Sequence, residues 1–158
     1  MAWGIGDQAQ GGGKMKLSTP AFEDNTSIPL KFTCKGEGVS PALVIEGIPE
    51  AAKSLVLIVD DPDATRGTFV HWVVYDIPVT NRIEENSIPG TQGLNNSGEL
   101  NYCSPCPPPG NQHRYFFKVY ALDSLLGVKE GLSKTDIENL IYDHILDKAE
   151  LIGLYKTK

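Results

Sequence analysis

The sequence predicts a mainly β domain, and three observations carry that prediction. Apolar runs of strand length recur at Ser54–Val59, Phe69–Ile77 and Tyr115–Ala121. Proline and glycine punctuate the first half at Pro29, Gly36, Gly38, Pro41, Gly47, Pro49 and Pro62, as turns between short strands require. Helical periodicity occurs in one place only, near the C-terminus.

The elements follow in order. From Lys16 to about Ile77 the pattern is strand, turn, strand. Ser54–Val59 is continuously apolar, so it reads as a strand covered on both faces. In Phe69–Ile77 the odd positions Phe69, His71, Val73, Tyr75 and Ile77 share one face, and Val70, Trp72 and Val74 share the other. Both faces are largely apolar, as for a central strand of packed sheets. Residues 78 to about 113 carry many Pro, Gly and Asn residues and read as a long irregular connection, a kind of segment that is often functional. Pro107-Pro108-Pro109-Gly110 stiffens its end, immediately before His113. Ser133 and Asp136 form a capping-box start, and Ile137, Leu140, Ile141 and Ile145 recur at helical spacing to about Lys148. Leu151–Tyr155 is a candidate terminal strand. Residues 15–158 form one domain on this reading. Residues 1–14, with Gly11-Gly12-Gly13 before Lys14 and Met15, read as a tag or linker.

Bulk properties narrow the function. The chain has 158 residues, enough for one domain with a real core, and a formal net charge of -6. That balance argues against a phosphate-backbone grip on nucleic acid, which needs clustered Lys and Arg. It leaves room for a local anion pocket. No apolar stretch approaches the length of a membrane helix and no apolar secretory core is visible, so a cytoplasmic protein is expected. Three cysteines, Cys34, Cys103 and Cys106, are too few and odd in number for a disulfide scaffold. No obligatory disulfide and no structural metal are expected.

The residues with chemistry lie at the ends of the apolar runs. Asp61 and Asp63 flank Pro62, His71 lies within the second run, and His113 and Tyr115 open the third. Strand alternation points His113 and Tyr115 to one face. A carboxylate that accepts from one imidazole nitrogen orients the ring and leaves the other nitrogen outward. Two such rings and a tyrosine hydroxyl make a seat for phosphate, sulfate or carboxylate. The plain alternatives are a satisfied core histidine at position 71 and a simple turn at residues 61–64. Cys103-Ser104-Pro105-Cys106 could be a redox pair or half a metal site, but it lacks a second ligand pair and a helix N-terminus, so inert loop thiols are the expected reading. Asp61, Asp63, His71 and His113 are metal-ligand types, yet nothing in their spacing selects a metal. No G-x-S-x-G, GxxxxGK[ST] or GxGxxG motif occurs.

These segments resemble the phosphatidylethanolamine-binding protein family, in its bacterial and archaeal Raf-kinase-inhibitor-like branch. The resemblance runs from Met15 to Lys158. It rests on residues 60–64 (DDPDA), 68–78 (TFVHWVVYDIP) and 102–123, which include CPPPG at 106–110 and HRYFFKVYALD at 113–123. Thr65, Ser104 and Asn111 depart from residues common in relatives but leave the carboxylates and imidazoles in place. The resemblance implies a sandwich of two antiparallel sheets with peripheral C-terminal helices. It also implies an anion pocket formed by Asp61, Asp63, His71, Pro107, Pro108, His113 and Tyr115.

The expected function is a non-enzymatic, anion-binding regulatory module with no cofactor. Its ligand would be a small anion, a phospholipid headgroup or a phosphorylated side chain. The alternative is an inhibitor of a kinase or protease acting through its surface; a hydrolase using the Asp and His groups ranks third. A second copy of the chain is among the expected partners; nucleic acid is not. Anion binding should weaken as pH rises through the histidine range.

Overall fold

Two sheets and one helix arrange themselves around the strand that the sequence marks as most apolar. A computed structural model describes residues 13–157, so the tag reading of residues 1–12 lies outside the described residues. Strands β1 (Lys16–Ser18), β2 (Thr26–Ser27), β3 (Leu43–Glu46), β4 (Ser54–Asp61), β5 (Phe69–Ile77), β6 (Arg82–Ile83), β7 (Thr91–Gln92), β8 (His113–Leu122) and β9 (Ile145–Tyr155) are joined by a single α-helix, α1 (Lys134–Ile141). The larger sheet has the order β2-β9-β8-β4-β5-β7, and β1-β3-β6 form the smaller one.

All eight residues of β4 are buried. It lies between β5 and β8, antiparallel to both. Its alternate side chains serve two cores. Leu55, Leu57 and Val59 pack with Leu17, Leu43, Ile45 and Ile83 of the smaller sheet. Val56 and Ile58 pack with Ile137 and Ile141 of α1. The large sheet is therefore covered by the small sheet on one face and by the helix on the other.

Several expectations need correction. Only one α-helix is present among the described residues, and it stops at Ile141; the other helical segment is a 3-10 turn at Leu30–Phe32. Its start is the expected capping box: Ser133 accepts from the Asp136 N–H, and Asp136 accepts from the Ser133 N–H. Ile145, assigned to the helix by spacing, instead opens the eleven-residue β9. Along β9 Asp147, Ala149, Leu151, Gly153 and Tyr155 are the buried alternate positions, and the strand pairs with β8 along nearly its whole length. That ladder outweighs the helical preference of a short apolar pattern. The large sheet is not wholly antiparallel, because β9 pairs with β2 in parallel. The connection at 78–113 is not wholly irregular either: β6 joins the small sheet and β7 the edge of the large one. Strand β5 accordingly has only the two-residue β7 on its outer side.

The two faces of β5 also differ from strict alternation. Val59 pairs with Trp72 and Asp60 with Val70, which leaves His71 as an extra residue. This bulge exchanges the faces. Val70, Val73 and Tyr75 belong to the helix-side core, whereas Trp72 and Val74 belong to the core beneath the small sheet. His71 leaves the face of Val73 and Tyr75 and turns toward Tyr115 on β8, with ring centroids 5.3 Å apart. Re-aiming one side chain is a common use of a bulge.

Candidate functional site

Strand directions bring three ends together. Because β5 and β8 both run antiparallel to β4, the end of β4 lies beside the starts of the other two: Asp61 pairs with Phe69, and Asp60 with Phe116. Asp61, His71 and His113 are nearly fully buried there, at 3%, 5% and 6% exposure. Together with Tyr115, Phe69 and the loop at 103–108 they line a cavity of about 240 Å³.

Each polar group is oriented by a specific bond. One Asp61 oxygen, Oδ2, accepts from His113 Nδ1 at 2.6 Å. The other, Oδ1, accepts from the Asp63 N–H at 2.8 Å, a local turn for which aspartate is well suited. His71 Nδ1 donates to the Cys103 carbonyl at 2.6 Å, while the Cys103 N–H donates to the His71 carbonyl at 2.9 Å. Cys103 is thus clamped to β5 at both of its main-chain groups. The His113 and Tyr115 rings stack with centroids 6.4 Å apart, and Phe69 lies 4.8 Å from His71. Burial pushes the pKa of His71 down, against the opposing pull of the Cys103 carbonyl and of Asp61 and Asp60. Burial likewise raises the Tyr115 pKa, which keeps its hydroxyl protonated.

Six of the seven residues assigned to the pocket from sequence line this cavity: Asp61, His71, Pro107, Pro108, His113 and Tyr115. Asp63 does not. Its carboxylate accepts from Arg114 at the main-chain N–H (3.0 Å), Nε (2.9 Å) and Nη2 (2.9 Å), which pins the first residues of β8 to the turn after β4. The Arg114 hydrogen bonds hold the Asp63 carboxyl below the usual carboxylate range. The positions of Asp61 and Asp63 on either side of Pro62 could not reveal this, because the turn breaks strand alternation.

Sequence reasoning missed Ala64, Thr65, Phe69, Cys103, Ser104 and Cys106 in the lining. Their nearness to assigned residues was the available signal. It also missed a covalent tie. Cys106 is bonded to Cys34, 72 residues away, and Cys103 is the free thiol. This overturns the reading of Cys106 as an inert loop thiol, against the expectation of no obligatory disulfide; Cys103 remains a thiol. The Cys34 N–H also donates to the Pro105 carbonyl at 3.0 Å, so the two loops are joined by main chain and side chain alike. An odd cysteine count cannot identify such a pair. Among the described residues no three His, Cys, Asp or Glu side chains are grouped to hold a metal ion.

The architecture defines a class of protein: a two-sheet β domain with a small histidine–aspartate cavity where three strand ends meet. The family profile described as phosphatidylethanolamine-binding protein matches residues 18–156, and the chain belongs to that family. A UPF0098 protein of Methanothermobacter thermautotrophicus is 46% identical over 150 residues, covering 90% of this chain and 99% of its relative. One from Pyrococcus horikoshii is 44% identical, covering 94% of this chain and 81% of its own. Among solved structures, a phosphatidylethanolamine-binding protein homolog from Chlamydia trachomatis has a TM-score of 0.88 and 42% identity, covering 91% of this chain and 98% of that one. Escherichia coli YbcL, described as a member of the mammalian family, has a TM-score of 0.84 and 26% identity, covering 91% of this chain and 99% of its own.

Proposed function

We propose that this chain is a non-enzymatic binding module whose cavity takes the phosphate-like or carboxylate group of a small molecule, lipid headgroup or modified side chain. The observation that carries the reading is the pair of buried imidazoles. Each has Nδ1 committed to a protein acceptor, which leaves Nε2 as its only ring nitrogen for a ligand. The Tyr115 hydroxyl adds a third polar group to the lining. A cavity of about 240 Å³ suits a headgroup-sized group better than a drug-sized ligand. Among the described residues neither His71 nor His113 is hydrogen-bonded to a Ser, Thr or Cys side chain that it could activate. No helix among the described residues is long and apolar enough to cross a membrane. A cytoplasmic location has to be weighed against the Cys34–Cys106 bond, since disulfides persist mainly in oxidising compartments and in hyperthermophile cytosols.

The test is calorimetric titration of inorganic phosphate into the wild type and His113→Ala. Loss of a charge-assisted hydrogen bond should cost about 1.5–3 kcal/mol of binding. Equal affinity in the two proteins would place the ligand elsewhere and make His113 a structural residue.

A further inference from the structure

The hydrogen bonds that orient the two imidazoles do not leave them equivalent. His71 Nδ1 is 2.6 Å from a main-chain carbonyl. A carbonyl oxygen only accepts, so Nδ1 carries the proton, and in the neutral ring Nε2 presents a lone pair to the cavity. His113 Nδ1 instead meets the Asp61 carboxylate, a charged rather than a neutral acceptor, and its Nε2 is the ring nitrogen left for a ligand. The lining contains no Lys or Arg; its one acidic side chain is Asp61. Of the two guanidiniums next in sequence to lining residues, Arg114 is taken up by Asp63 and Arg66 is exposed outside the lining.

The titratable groups around His71 are Asp61 and Asp60 on β4, His113 and Tyr115 on β8, and Cys103 on the loop. The acidic groups favour a charged His71 ring, while its burial and the neighbouring His113 oppose it. An anion that brings only lone pairs therefore meets a lone pair at His71 Nε2. An anion that carries a hydroxyl can donate to it.

Taking the cavity as an anion site, as proposed above, we infer that it selects oxyanions that retain a proton, with the ligand O–H donating to His71 Nε2. Inorganic phosphate keeps a hydroxyl throughout the neutral range. A phosphomonoester keeps one near and below its second pKa of about 6. Sulfate and phosphodiesters, including intact diacyl-lipid headgroups, keep none. They can be held only after a proton has been taken from solvent onto His71. Phosphate and sulfate have the same tetrahedral shape, so the discrimination lies in the proton alone. A buried acceptor left facing another acceptor is the costly case in hydrogen-bond energetics, and sites built around one ligand hydrogen bond discriminate accordingly.

Calorimetry with four probes tests this on the intact protein: inorganic phosphate, sulfate, phosphoethanolamine as the monoester and glycerophosphoethanolamine as the diester. At about pH 7.5, above the ordinary histidine range, phosphate should bind at least about tenfold more tightly than sulfate. Near pH 6, where the monoester still carries its hydroxyl, it should exceed the diester in the same sense. Repeating the titrations in buffers of different ionisation enthalpy counts protons, and sulfate should take up about one more proton than phosphate. His113 faces both anions, so this difference isolates His71. The gap should close as pH falls toward about 5. In His71→Gln, whose amide can donate or accept without titrating, it should shrink to about threefold or less.

Equal affinities and equal proton counts for phosphate and sulfate in the wild type would overturn the inference and leave the anion site standing. Absence of binding by every probe at every pH would overturn both. The wild-type measurements decide the matter even if His71→Gln fails to fold.

Discussion

Asp60 and Asp61 are neighbours on one strand, and their environments are opposites. Both carboxylates are nearly fully buried, at 2% and 3% exposure. Asp60 faces the helix side, where Lys134 Nζ lies 2.7 Å and Lys118 Nζ 3.2 Å from the same oxygen. Asp61 faces the cavity, where its side-chain partner is the His113 imidazole and its other oxygen caps a turn. Two lysines supply permanent positive charge to Asp60, so its desolvation is compensated at any ordinary pH. Asp61 has a partner whose charge changes with pH, beside a space that a ligand can enter. The comparison teaches where binding can reside on this sheet. It is the side on which charge compensation is conditional.

The comparison breaks most sharply at Asp60. Asp60→Asn leaves two lysine ammoniums around a neutral amide and should cost on the order of 3 kcal/mol of stability, as for removal of one partner from a buried ion pair. Urea denaturation should show a lowered midpoint, with phosphate affinity unchanged in the folded protein. Asp61→Asn should do the reverse: a smaller loss of stability and a clear loss of phosphate affinity, because His113 loses the carboxylate that orients it. Matching profiles for the two variants would end the distinction between the two faces.

The disulfide sharpens the comparison from the cavity side. Cys34→Ser opens a loop closed across 72 residues and frees the wall formed by Cys106, Pro107 and Pro108. A stability loss of about 2–4 kcal/mol is expected. Phosphate affinity should fall with it, because the wall must now be ordered on binding. Unchanged affinity after reduction or substitution would show that the clamp of Cys103 onto β5 suffices to hold the wall.

The smallest effect is in pH dependence. The folded-state pKa of His71 lies below its unfolded value. The unfolded chain therefore binds the proton first as pH falls. The stability contributed by burying the neutral ring is complete above about pH 6.5 and is lost progressively down to the folded pKa. Asp63 also has a lowered pKa, so its contribution is present above the unfolded carboxylate range and is lost as pH falls through its folded value. Denaturation midpoints across the histidine window should slope downward toward acid in the wild type and flatten in His71→Gln. An unaltered slope would assign the proton to another group.

Much of the frame was legible from the sequence because local rules act within single segments. The apolar run of β4, the capping box at Ser133 and the alternation of His113 with Tyr115 each follow from neighbours a few residues apart. The same locality explains the failures. A helical spacing at Ile137, Ile141 and Ile145 cannot show that residues 145–155 will be claimed by a long ladder with β8. Nor can an odd cysteine count show that Cys34 will lie beside Cys106.

The sequence by itself determined which residues were costly to leave unsatisfied: two aspartates, two histidines and a tyrosine among apolar strands. Only the tertiary structure decided how they are satisfied. The bulge at His71 sends that ring across the sheet to Tyr115. Arg114 draws Asp63 away from the cavity, and the loop at 103–108 closes over the remainder. The physical reason is that side-chain direction in a sheet depends on register between strands, and register is set jointly by partners far apart in the chain.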